Sequence, residues 1–238
     1  MDLVELPPAF TTTREALRAI ACQVLAPARK AVDGHIGLAA TGDGFGTPPF
    51  GERARRIVVR GTGLVIEDGG SVVARAPITT IAAGAALVGI DVVDDPAIGN
   101  ERTHVGADVA LSVDLESSTA LGAWYALADM ALAELRDELA ASGTASAITL
   151  WPEHFDIGFD WGPDADRRVN LGASPGDATI PEPYLYVGPW QPDAFTADEF
   201  WNASFGATLP YRAIATDPAP LATASAFYAE GIARLALH

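Results

Sequence analysis

The chain is poor in the residues that cross-link proteins or form imines. Of its 238 residues, only Cys22 is a cysteine and only Lys30 is a lysine. A single cysteine excludes an internal disulfide and any cysteine metal cluster. Arginine stays protonated, so Schiff-base chemistry would fall on Lys30 alone. Lys30 closes the basic end of an expected helix, where a cation answers the helix dipole. Cys22 sits in the apolar run 17–25, the usual setting of a buried, inert thiol. No stretch reaches the roughly 18 to 20 uninterrupted apolar residues of a membrane span. Positive charge is scarce as well: 15 Lys+Arg face 31 Asp+Glu, a formal net charge of −16. That balance argues against a nucleic-acid partner, which needs a basic face to displace counterions, and against an anionic membrane. The N-terminal Met1-Asp2-Leu3-Val4-Glu5 has no charged-then-apolar signal pattern. The expectation is a soluble, cytoplasmic protein.

What is present is ample apolar material, 49% of the residues, enough for one large core or two small ones. Apolar residues at helical spacing (Leu17, Ile20, Ala21, Val24, Leu25) predict a helix over 14–32, with Thr12 and Glu15 at capping-box spacing and Gly34 ending it. A short strand at 36–40 and a Gly/Pro-rich loop at 41–50 follow. Strands at 57–59, 64–66 and 72–74, separated by Gly61-Thr62-Gly63 and Asp68-Gly69-Gly70, read as an antiparallel meander. A small-residue helix at 79–88 precedes a connector at 91–108. The second half reads as a strand at 109–113, a cap at Ser117-Ser118 and a long helix over 118–141 with Leu121, Trp124, Tyr125, Ala128, Leu132, Leu135 and Leu139 on one stripe. Strands at 147–151, 155–161, 168–171 and 184–187 come next, then helices around 197–205 and 221–237. The fold class is α+β: one or two antiparallel sheets with long amphipathic helices packed on one side. Residues 1–238 form a single domain or two related halves, 10–90 and 109–238. The second alternative rests on Leu38-Ala39-Ala40-Thr41-Gly42-Asp43, which can be laid over Leu171-Gly172-Ala173-Ser174-Pro175-Gly176-Asp177, with Pro49-Phe50 meeting Pro183-Tyr184. Recurrence of turn residues in loops explains the same match without duplication.

Three motifs fail on mechanism. Gly172-Ala173-Ser174-Pro175-Gly176 fits the G-x-S-x-G hydrolase pattern, but Pro175 has no N–H for the oxyanion hole and no helix can follow. Gly42-Asp43-Gly44-Phe45-Gly46 misplaces the third glycine of a dinucleotide loop, and Pro48-Pro49 stands where the phosphate-binding helix should begin. Asp160, Asp164 and Asp166 lack EF-hand spacing and its glycine.

The segment from Trp151 to Trp161 carries the most chemistry. As an extended strand it would place His154, Asp156, Gly158 and Asp160 on one face and Trp151, Phe155, Ile157, Phe159 and Trp161 on the other. His154 and Asp156 would then stand about 7 Å apart along the backbone, near enough to share a metal or for the Asp to orient the imidazole. The functional reading is a catalytic His154–Asp156 pair, or a divalent-metal site of His154, Asp156 and Asp160. A His–Asp pair on a solvated face, or a histidine satisfied in the core, accounts for the same residues. The loop 174–190 is stiffened by Pro181, Pro183 and Pro189 and carries Asp177, Glu182, Tyr184, Tyr186 and Trp190. It reads as a wall of a small-molecule pocket, as the contact surface of a non-catalytic ligand-binding or protein-interaction module, or as the cover of a sheet edge.

The run Trp151-Pro152-Glu153-His154-Phe155-Asp156 resembles the W-P-x-H-F-D motif of a bacterial domain-of-unknown-function family. That family tends to carry a second histidine where Glu153 stands. The wider set of 37–50, 172–177 and 181–190 is similar to hypothetical proteins of high-GC bacteria, a likeness covering most of the chain. The resemblance implies no activity.

Overall fold

The computed structural model describes residues 3–92, 95, 98, 103–191 and 194–235. Two compact units divide the chain: Leu6–Ala126 with Leu150–Phe155, and Met1–Glu5 with Leu127–Thr149 and Asp156–His238. The expected connector 91–108 lies inside the first unit, much of it outside the described residues.

In the first unit the opening helix runs as α1 (Phe10–Ile20), a π-helical turn (Ala21–Leu25) and α2 (Ala26–Asp33). Gly34, at φ +78°, ends it as expected, because the left-handed cap costs glycine least. The capping box does not form. The helix starts at Phe10 without a side-chain cap, and Thr13 Oγ1 instead accepts from Asp114 N at 3.0 Å. Leu17, Ile20, Val24 and Leu25 form the buried stripe.

The meander is a five-stranded antiparallel sheet in sequential order: β1 (Ala39–Thr41), β2 (Gly44–Gly46), β3 (Arg56–Arg60), β4 (Gly63–Asp68) and β5 (Ser71–Pro77). Strand β2 lies in the segment expected to be loop. A Cβ on Gly44 or Gly46 would lie within 2.1 or 2.4 Å of the Val59 or Ile57 carbonyl oxygen, so glycine is what permits the pairing. Helix α3 (Ile81–Val88) is capped by Thr80, whose Oγ1 accepts from Ala83 N at 3.0 Å. Its Gly84 lets the helix settle against Leu64, Val24 and Ile20. The expected strand at 109–113 is irregular backbone.

Helix α4 (Leu115–Leu139) buries the predicted stripe of Leu121, Trp124, Tyr125, Ala128, Leu132, Leu135 and Leu139. It begins earlier than predicted because Asp114, rather than Ser117 or Ser118, caps it: Asp114 Oδ2 accepts from Ser117 N at 2.8 Å and Ser117 Oγ at 2.7 Å. These bonds hold the Asp114 carboxyl below its ordinary range. The strands that follow are β6 (Thr144–Ala145), β7 (Thr149–Trp151), β8 (Asp156–Gly162), β9 (Val169–Ser174), β10 (Tyr184–Pro189) and β11 (Ala207–Pro210).

In the second unit β6 and β8 to β11 form an antiparallel sheet in the order β11-β10-β9-β8-β6. The protein is therefore α+β with two antiparallel sheets. On one sheet face Ile157, Phe159, Leu171, Ala173, Leu185 and Val187 are buried. Helix α6 (Pro220–Leu235) packs there: a Cβ on Gly231 would lie 2.8 Å from a Val187 methyl. A short helix, α5 (Tyr211–Ala215), follows β11, whereas the helix expected at 197–205 does not form. Asp198 Oδ1 accepts from Phe200 N at 2.8 Å and Trp201 N at 2.7 Å, a cap-like turn, but the chain then bridges Ala203 to Gly206 instead of continuing as helix. The two segments compared for duplication differ locally. The first enters the tight β1–β2 turn, while the second enters a long loop between β9 and β10. The duplication is not established.

Candidate functional site

The expected strand face holding both His154 and Asp156 does not exist. Residues 152–155 form a turn, Phe155 N donates to Trp151 O at 2.7 Å, and Phe155 takes a left-handed φ of +58°. Such a conformation is strained for a phenylalanine and persists only where packing dictates it. Here Phe155 is buried edge-to-face against Phe45 and Tyr125, at centroid distances of 5.1 and 5.7 Å. The Tyr125 hydroxyl donates to the Phe155 carbonyl at 2.6 Å. His154 is exposed in that turn, Trp151 is exposed rather than anchored in the core, and the alternation starts only at Asp156.

From Asp156 onward the register sets out a polar face, row by row. Asp156 is followed by Gly158 and Asp160 on β8, matched by Ser174, Gly172 and Asn170 on β9 and by Tyr184, Tyr186 and Gly188 on β10. The middle row is Gly158, Gly172 and Tyr186. A Cβ on Gly172 would stand 2.4 Å from the Tyr186 hydroxyl, and one on Gly158 would stand 3.0 Å from it. The tyrosine ring therefore lies across both glycines and reaches the far strand, where its hydroxyl donates to Asp156 Oδ2 at 2.5 Å. Burial, and next the Asp156 charge, push the Tyr186 phenol well above its ordinary pKa, so it remains a donor.

The neighbouring row is tied in the same way. Tyr184 donates to Asp177 Oδ2 at 2.7 Å, while Asp177 Oδ1 accepts from Thr179 N at 2.6 Å and Ile180 N at 2.9 Å. Burial, then the bond to Asp177, raise the Tyr184 phenol too. Asp177 thus folds the loop and pins the phenol together. Ser174 is buried and its Oγ accepts from Gly176 N at 3.1 Å. Glu182 turns elsewhere, to an ion pair with Arg212.

The third row opens to solvent. Trp190 is 54% exposed, and its indole N–H donates to Asn170 Oδ1 at 2.8 Å. The Arg168 guanidinium lies 5.6 Å from the indole centroid and pairs with Asp160. Asp160 is thereby committed to an arginine. It also lies four positions along the strand from Asp156, about 13 Å of backbone. Among the described residues no group of three or more His, Cys, Asp or Glu is gathered for a metal ion.

The structure thus joins Asp156 to Tyr186, and Asp177 to Tyr184, on one sheet face, and sets Trp190 two rows along. Sequence reasoning placed Gly158 on the polar face with Asp156 and Asp160, but missed the parts of Gly172, Gly188, Asn170 and Arg168 in the site. Their signal was the strand register, which a single strand's alternation does not reveal. Cys22 behaves as expected: buried, donating to Pro152 O at 3.0 Å, its thiol pushed up by burial to about 12. No protein-family model, curated protein or solved structure matches the chain.

Proposed function

We propose that this chain binds a small polar molecule on the polar face of its second sheet. The observation that carries the reading is the Tyr186 ring, laid across Gly158 and Gly172 and fixed by its hydroxyl to Asp156. Glycine is required at both places by the neighbouring Leu171 and Ile157 carbonyls, and the ring lies in the space that the missing side chains leave. Two glycines in strand interiors weaken a sheet. Preorganised aromatic and hydroxyl groups lower the ordering cost of binding. Asp156 acts in this reading as a positioning residue, and Tyr186 and the exposed Trp190 as the contact side. The reading is one of binding and invokes neither His154 nor a divalent metal.

The test is a thermal-shift screen of the full chain against methyl glycosides, nucleosides, amino acids and polyamines at millimolar concentration. At least one class is expected to raise Tm in the wild type and to lose that effect in Asp156→Asn and Tyr186→Leu, each checked for folding by circular dichroism. No shift from any class, or a shift unchanged in both folded variants, sinks the reading.

A further inference from the structure

The strand glycines of the two sheets are not alike. A Cβ on Gly44, Gly46, Gly158, Gly162 or Gly172 would come within 2.1 to 2.7 Å of a neighbouring atom, so the fold itself demands glycine at each. Gly63 is tight too, at 3.3 Å from the Ala76 carbonyl oxygen. Gly188 differs. Its Cβ would find only the Phe205 carbonyl at 3.5 Å and the Asn170 carbonyl at 4.0 Å, ordinary contacts, and its φ lies outside the left-handed region. A Cβ is tolerated there, and glycine is among the poorest strand formers. What glycine supplies at 188 is an empty place on the sheet face.

That place has walls and a floor. Residues two before and two after point the same way on a strand, so Gly188 lies between Tyr186 and Trp190, whose backbones stand about 13 Å apart. Across the ladder it faces Asn170 and, beyond that, Asp160. Trp190 is exposed but not free to swing, since Asn170 holds its indole N–H and Arg168 lies against its ring. The Asn170 amide nitrogen retains both donors, with no partner among the described residues. Arg168 and Asp160 neutralise one another, so the notch favours no strong charge of either sign.

We propose that the Gly188 notch receives a neutral pyranose ring, stacked on Trp190. This names the ligand class for the binding face and rests on that reading. A pyranose has a flat C–H face that packs on an indole and a rim of hydroxyls that both donate and accept. The Asn170 amide offers donors to that rim and Asp160 offers Oδ2, since Arg168 takes Oδ1. A cation or an anion would have to break the Arg168–Asp160 pair to gain a partner.

The probes are the methyl glycosides of glucose, galactose and mannose and their disaccharides, titrated into the full chain by calorimetry and followed by tryptophan fluorescence. Saturable binding of at least one is expected, with Kd on the order of 1 mM or below. Gly188→Leu fills the notch without a backbone clash and should weaken that binding at least ~10-fold at unchanged Tm; Trp190→Ala should do the same. A disaccharide binding more tightly than its methyl glycoside places the ring at a chain end rather than free. Either preference supports the notch. Glycoside binding indifferent to Gly188→Leu overturns it, as does absence of any glycoside binding. If nucleosides bind instead and lose affinity in Gly188→Leu, the sugar assignment falls while the small-molecule reading stands.

Discussion

Gly172→Ala and Gly188→Ala make the same chemical change on one face of one sheet, in adjacent rows, and should give opposite results. At Gly172 the new methyl would lie 2.4 Å from the Tyr186 hydroxyl, 2.5 Å from its ring carbon and 2.6 Å from the Ile157 carbonyl oxygen. The ring has to lift, and the bond to Asp156 goes with it. Overpacking of this kind costs about 1–3 kcal/mol. Loss of a hydrogen bond to a charged acceptor adds about 1.5–3 kcal/mol. Together they predict a destabilisation of about 2.5–6 kcal/mol for Gly172→Ala. At Gly188 the nearest atom is at 3.5 Å and alanine is the better strand residue. The predicted change there is within about 0.5 kcal/mol, or a slight gain. Urea denaturation followed by far-UV circular dichroism measures both. A cost under about 1 kcal/mol for Gly172→Ala, or equal costs at the two sites, would refute the steric argument on which the ring's placement rests.

Tyr125→Phe removes the phenol that satisfies the buried Phe155 carbonyl and should cost about 1–3 kcal/mol, read as a fall in denaturation midpoint. The Cys22 thiol, pushed up to about 12 by burial, should ignore a thiol-reactive disulfide reagent at pH 8 until denaturant is added; prompt reaction in the native state contradicts its burial. The Tyr184 and Tyr186 phenols are both raised above their ordinary value near 10, so the folded chain keeps protons that the unfolded chain releases. Their stabilisation is full below about pH 10 and declines as pH rises further. Ultraviolet titration should show phenolate from these two only on unfolding, and Tyr186→Phe should flatten that alkaline loss.

The parts of this architecture written locally were legible. Gly34 at the helix end, Gly61 and the Gly69-Gly70 pair at the hairpin turns, and the Leu121–Leu139 stripe act over one or two turns of chain. What escaped was set by distant partners. Strand β2 looks like loop because Gly44 and Gly46 are dictated by the carbonyls of β3, a strand ten residues on. The 197–205 helix fails because the chain leaves the Asp198 turn for a bridge between Ala203 and Gly206 that leads into β11, a pairing no local pattern announces. His154 and Asp156 part company because Phe155, wedged against Phe45 and Tyr125, turns the backbone left-handed between them. For the site, aromatics and acids of the 174–190 loop could be named, but not that Tyr186 reaches two strands over to Asp156. That fact lives in the register of three strands at once.

Saturation-transfer NMR on the full chain, with the same panel of glycosides, nucleosides, amino acids and polyamines, tests the binding face most directly. The account predicts transfer to at least one ligand in the wild type and its loss in Gly188→Leu, a variant that melts at the same temperature. Transfer to no member of the panel, or equal transfer from both proteins, would contradict it.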